Sequence, residues 1–152
     1  MTTPLLYNDN ALQKIKDIPD NTIDLVLVDP PYLIDYKNWD SAIFQGSESF
    51  NTFTEDWVKE CFRVLKPNGS FWSFMGYQNI FPFFQILEKY GTVHYENWVV
   101  WARQKGRGSS KHLKSVREDI IHVTKSKKDF IWNNIKMLRE VIVPYVKDGK
   151  PR

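Results

Sequence analysis

Cysteine is almost missing from this chain of 152 residues, since Cys61 is the only one. That excludes a disulfide framework and a thiolate metal cluster. Histidine is nearly as scarce, and His94, His112 and His122 have no partners at metal-ligand spacing, so no metal is expected. No apolar run approaches the ~18 residues of a membrane span. The opening MTTPLLYNDN lacks the basic and apolar regions of a secretory signal. A soluble cytoplasmic protein without membrane contact is the expectation. Net charge is also small, at +3, so the placement of charge says more about a polyanionic partner than its total. Internal repeats are absent.

Aromatic residues are plentiful, with ten Phe, seven Tyr and six Trp. The length is that of a single domain, 1–152, large enough for a real core. The chain is organised around residues 22–38, TIDLVLVDPPYLIDYKN. Ile23, Leu25, Val26, Leu27 and Val28 read as a strand buried on both faces, as in the middle of a parallel sheet. Asp29-Pro30-Pro31-Tyr32 must end it, because two prolines cannot donate ladder hydrogen bonds. In an open parallel sheet, ligands sit beyond the carboxyl ends of strands. A carboxylate there can accept a hydrogen bond from an exocyclic amine, as can a backbone carbonyl stiffened by the next proline. Tyr32 offers a face on which a base drawn from its duplex could stack. A strand ending in an ordinary Pro-Pro turn explains these four residues equally well by themselves.

Before that strand, Leu5-Leu6-Tyr7 reads as a short first strand, and Asn8-Asp9-Asn10 as a helix-capping turn. Ala11, Leu12, Ile15 and Ile18 then recur at helical spacing. Residues 33–53 show no clear period and read as an exposed loop, with Asp35, Tyr36 and Trp39 placed to shape a pocket. Thr54-Glu55-Asp56 resembles a helix start, followed by the apolar face Trp57, Val58, Cys61, Phe62, Leu65. Lys66-Pro67-Asn68-Gly69 reads as a turn. Residues 70–75 form a strand, 80–90 a helix and 93–101 a longer strand. Arg103, Lys105, Arg107, Lys111, Lys114 and Arg117 follow with no acid between them. They read as a mobile basic loop able to neutralise phosphates, although a merely solvated loop has the same composition. Residues 120–124 form a strand paired back on the previous one. The order β-α-β-α-β-α-β-β predicts an α/β sheet, mostly parallel with an antiparallel end.

The runs NDNALQKIKDIPDNTIDLVLVDPPY, WVKECFRVLKPNGSFW, VVWARQKGR and VREDIIHVTK together resemble the amino-methylating DNA methyltransferases. These act on adenine N6 or cytosine N4 with S-adenosylmethionine, in DNA methylation and restriction–modification. The block order is similar to the permuted β-type, whose catalytic half precedes its cofactor half. The resemblance implies a partial Rossmann-like methyltransferase sheet and double-stranded DNA as substrate. It implies that Asp29 and the Pro30 carbonyl accept the amine's hydrogens, with Pro31 completing the motif and Tyr32 stacking on the base. It places Asp9 and Asp29 on the cofactor, and Arg103, Lys105, Arg107, Lys111 and Lys114 on DNA. An aspartate at the head of the tetrapeptide leans towards adenine, with cytosine N4 as the other target. An RNA- or protein-amine methyltransferase is a third reading, against which those relatives usually begin with Asn.

Such a family member also carries a Phe-x-Gly-x-Gly turn that lets the cofactor approach the backbone. Here only Gly106 and Gly108 have that spacing, in the basic stretch. The expectation is therefore a catalytic half without its glycine-rich half, inactive alone, with a second chain as one source of the rest. The alternative is a silent DNA-binding or regulatory fragment. Without its neighbours, the Val26 strand would be an exposed apolar edge.

Overall fold

Asn10 starts the first helix as its side chain predicts, its Oδ1 accepting the Gln13 N–H at 3.2 Å. Helix α1 (Ala11–Lys14) runs into a 3-10 turn, Ile15–Asp17. The computed structural model describes residues 4–33, 44, 46–107, 111, 113–133, 146–147 and 150–151. Strand β1 (Ile23–Val28), helix α2 (Gly46–Val64) and strand β2 (Leu65–Met75) form a crossover, with β1 and β2 parallel. Helix α3 (Ile80–Leu87), β3 (Thr92–Val93), β4 (Val99–Arg107) and β5 (Ser115–Thr124) complete the main sheet. Its order is β1-β2-β5-β3, with β4 also on β5. Two short strands, β6 (Val146–Lys147) and β7 (Lys150–Pro151), pair with each other.

The α/β class and the antiparallel end stand. The parallel share is smaller than expected, since β1–β2 is the one parallel pair among the described strands of the main sheet. One sheet face meets the helices. Phe71, Met75, Ile121 and Val123 pack there against Trp57, Val58, Phe62, Phe83 and Leu87, all buried, with Val26 and Val28 against them. Arg63 of α2 holds α1 in place by donating to the Ile15 and Ile18 carbonyls, each at 2.9 Å, and pairing with Asp20 at 2.6 Å.

Several expectations are corrected. Leu5-Leu6-Tyr7 is not a strand, and its side chains are exposed, because no neighbouring strand among the described residues offers them a ladder. Helix α2 begins at Gly46, within the supposed loop, and Thr54 lies buried inside it and does not cap it. Phe50 and Phe53 extend the apolar spacing of Trp57 backwards by 3–4 residues; Phe44 meets both rings at 5.3 and 5.1 Å. Lys66-Pro67-Asn68-Gly69 is taken into β2 as a bulge, where the partner of β1 jumps from Leu65 to Ser70. A Cβ on Gly69 would stand 2.8 Å from the Asp24 carbonyl oxygen. The strand expected over 93–101 is broken by the 3-10 turn Tyr95–Asn97 into β3 and β4, both on β5.

Two larger corrections concern the site. The two ends of the basic stretch, up to Arg107 and from Ser115 on, belong to paired strands of a β-ribbon, with Trp101 opposite Glu118 and Arg107 opposite Ser115. Strand β1 is not buried on both faces: Leu25 is 56% and Leu27 63% exposed. Its outer edge has no partner among the described strands.

Candidate functional site

Alternation along β1 turns Val26 and Val28 to the core and delivers Asp29 just past the carboxyl end of the strand. Val28 pairs with Ser73, so the tetrapeptide leaves the sheet at the edge where β2 ends. Tyr32 Oη donates to Asp29 Oδ1, closing the four residues on themselves. Asn79, in the turn after β2, donates its side-chain N–H to the Tyr32 carbonyl at 2.6 Å. Sequence reasoning missed Asn79 and Gly76, and only their place directly after a strand ending at the same edge marks them.

Asp29, Pro30 and Pro31 line a cleft of about 980 Å³, and Asp9 lines it too. The two carboxylates assigned to a cofactor thus border one space. Helix α2 adds an apolar part of the lining, with Phe53, Trp57 and Cys61 recurring every four residues. Trp57 Nε1 is buried with no hydrogen-bond partner among the described residues. Burial pushes the Cys61 thiol up to about 12, so it is no thiolate nucleophile. Asp9 Oδ1 also accepts the Asn10 N–H at 2.7 Å, as a residue of a capping turn does.

The ribbon stands past the same edge. Met75, the last residue of β2, lies opposite Asp119, so β5 before Asp119 and β4 from Trp101 onward extend beyond β2. Its basic residues are not equivalent. Arg103 is mostly buried in an ion pair with Glu118 at 2.6 Å and donates to the Ser115 carbonyl at 3.0 Å. Arg117 reaches Asp119 at 3.3 Å. Lys105, Lys111 and Lys114 are exposed, and Arg107 is the strand residue facing Ser115. Asp35, Tyr36, Trp39 and His112 lie outside the described residues.

On the sheet face away from the helices, Trp72 and His94 stack on His122 at 4.2 and 4.8 Å between ring centroids. Asn97 Nδ2 donates to His122 Nδ1 at 3.0 Å, an arrangement that fits a neutral ring. Burial, then His94 beside it, pushes the His122 pKa down to about 4. Among the described residues, no cluster of His, Cys, Asp or Glu could hold a metal, and no helix is long and apolar enough to cross a membrane.

Comparison with known proteins agrees with this architecture. The type II methyltransferase M.HpaI of Haemophilus parainfluenzae is 33% identical over 130 residues, covering 84% of this chain and 41% of that protein. DNA adenine methyltransferase YhdJ of Escherichia coli K12 is 32% identical over 138 residues, covering 89% of this chain and 46% of that protein. The chain thus spans less than half the length of either relative. The solved M1.HpyAVI–SAM complex superimposes with a TM-score of 0.61 at 20% identity, over 88% of this chain and 61% of that one, which shows the fold. A family model described as DNA methylase, of the N6/N4 methyltransferase type, matches residues 23–147. Since that match starts at the first residue of β1 and takes in the tetrapeptide, the sheet and the ribbon, the chain belongs to the N6/N4 DNA methylase family.

Proposed function

We propose that this chain is the catalytic half of a cytoplasmic DNA adenine-N6 methyltransferase that uses S-adenosylmethionine. The observation that carries this is the placing of Asp29-Pro30-Pro31-Tyr32 at the carboxyl edge, with Asp29, Pro30 and Pro31 lining a cleft also bordered by Asp9. Asp9 and Asp29 would hold the cofactor, and the apolar wall of α2 suits the flat base of a nucleoside. Once bound, the cofactor supplies an electrophilic methyl group. The exocyclic amine of a flipped adenine takes over from the Tyr32 phenol as hydrogen-bond donor to Asp29. Its second hydrogen goes to the Pro30 carbonyl, and the Tyr32 ring stacks on the base. With both hydrogens held, the nitrogen lone pair would be drawn out of conjugation with the ring and left free to attack an electrophile. Asp29 would accept the proton that the amine gives up on methylation. Catalysis is positioning, with no covalent enzyme intermediate.

Duplex DNA would lie along the exposed lysines Lys105, in β4, and Lys111 and Lys114, between β4 and β5, with Arg107 at the end of β4. Arg103 serves the ribbon's own structure. The open edge of β1 suits a chain that works with a glycine-rich cofactor half, for which a second chain is one source. The test is methyl transfer to unmethylated duplex DNA. The 152-residue chain alone is expected to give none, and addition of a cofactor half to restore it. Asp29→Ala in the restored form should cost on the order of 10²-fold or more in turnover, with DNA binding retained. Near-normal turnover of that variant would remove Asp29 from the mechanism. Retained DNA binding with no methylation in any combination would favour a silent DNA-binding fragment.

A further inference from the structure

The tetrapeptide has an anchoring problem that its own sequence creates. Pro30 and Pro31 have no backbone N–H with which to fasten the middle of the segment, so more of the task falls to carbonyls and side chains. Leu33, directly after it, has φ +53°, a left-handed conformation that a bulky side chain disfavours. An outside contact has to keep the chain there. Asn79 is placed to do it, with its side-chain amide 2.6 Å from the Tyr32 carbonyl. The amide is itself fixed, because the Asn79 backbone N–H closes the turn on the Gly76 carbonyl at 3.2 Å. Gly76 adds a steric requirement. A Cβ there would meet the Tyr32 Cβ at 3.2 Å, and since its φ is −71° the limit is contact and not backbone strain. The Tyr32 phenol bonds Asp29, so a shift of the Tyr32 backbone passes to the carboxylate.

We propose that Asn79 is the positioning residue of the tetrapeptide: it fixes the Tyr32 carbonyl so that the Tyr32 ring and Asp29 carboxylate stand where the target amine arrives, while Gly76 leaves the ring its space. This rests on the reading of Asp29–Tyr32 as the methyl-transfer site, but its first test does not depend on turnover. Amide hydrogen exchange at Tyr32 and Leu33 is followed in the purified 152-residue chain. Asn79→Ala should speed exchange at those two amides about tenfold, with β2 and α3 unaffected. Asn79→Gln, which keeps a donor, should recover part of the protection, and Gly76→Ala should reproduce the loss. Unchanged exchange in Asn79→Ala overturns the proposal, and so does an equal speed-up throughout β2 and α3, which would mark general destabilisation. In a form that methylates DNA, Asn79→Ala should lower kcat by roughly 10- to 10²-fold, with KM for duplex within about twofold. A change confined to KM overturns it there. Should no form methylate DNA, the function proposed above fails, and the exchange result still decides whether Asn79 holds Tyr32.

Discussion

The two faces of the sheet use the same kinds of residue to different ends. On the helix side, Phe71, Met75, Ile121 and Val123 are sealed under α2 and α3. On the other side, Trp72, His122 and His94 stack on one another beneath Phe130 and Trp132, while Leu25 and Leu27 of β1 lie open. The first face is finished by the chain's own helices. The second is a row of rings at β2–β5, and at β1 an apolar surface with no cover among the described residues. The stability of the folded chain therefore resides on one side of the sheet. Its need for further contact resides on the other.

The sharpest way to break this comparison is to cut one apolar side chain on each face. Phe71→Ala should cost about 3–5 kcal/mol in denaturant unfolding, because the ring is fully buried against Trp57 and Phe62. Leu27→Ala should stay within about 0.5 kcal/mol; a loss comparable to that of Phe71 would show that the open face is covered after all.

A smaller effect sharpens the picture of the second face. The unfolded chain protonates His122 near the ordinary histidine value of 6.5, whereas the folded chain holds the proton off until about 4. The folded pKa is depressed, so the unfolded state binds more protons in that window. Stability is then fully present above about pH 6.5 and lost as pH falls towards 4, by an amount on the order of 3 kcal/mol. Replacing His122 with the non-titrating Asn should flatten this part of the pH–stability curve; an unchanged curve would place the acid sensitivity elsewhere.

The smallest effect belongs to the ribbon. Neutralising Lys105 or Lys114 should each reduce the log–log salt slope of DNA binding by about 0.9 for every phosphate that the side chain had neutralised. Arg103→Ala should leave the slope alone and weaken the ribbon, as Glu118 would be left without its ion pair. Equal slopes for all three variants and the parent would make the lysines solvated surface only.

Much of the fold is legible in the sequence where local chemistry decides. The β-branched run of β1, the prolines that end it, the cap at Asn10 and the apolar start of α3 are all set by neighbouring residues. What escapes depends on partners far along the chain. The string 103–117 looks like a loop because no acid falls inside it, yet Glu118 just beyond neutralises Arg103 across the ribbon. Residues 46–53 hide their helix because Phe50 and Phe53 make sense only against Phe44. Strand β1 carries the composition of a strand buried on both faces, and here it meets a core on one face only. Asn79 is invisible as a functional residue until the turn after β2 folds against Tyr32.

The crossover from β1 to β2 also bears on the time course of folding. Arg107 finds Ser115 only eight positions along the chain, whereas Val28 must find Ser73 across 45 positions and a whole helix. Loop-closure entropy favours the near pairing, so the β4–β5 ribbon is the nucleus expected to form early and β1 the strand expected to dock late. A strand with one neighbour is also the first to let go in native-state opening. Asp29 and Tyr32 are thus attached to a strand held on one edge only, and a cover on the outer edge of β1 would act as a clamp that sets how long the Asp29–Tyr32 pair stays assembled.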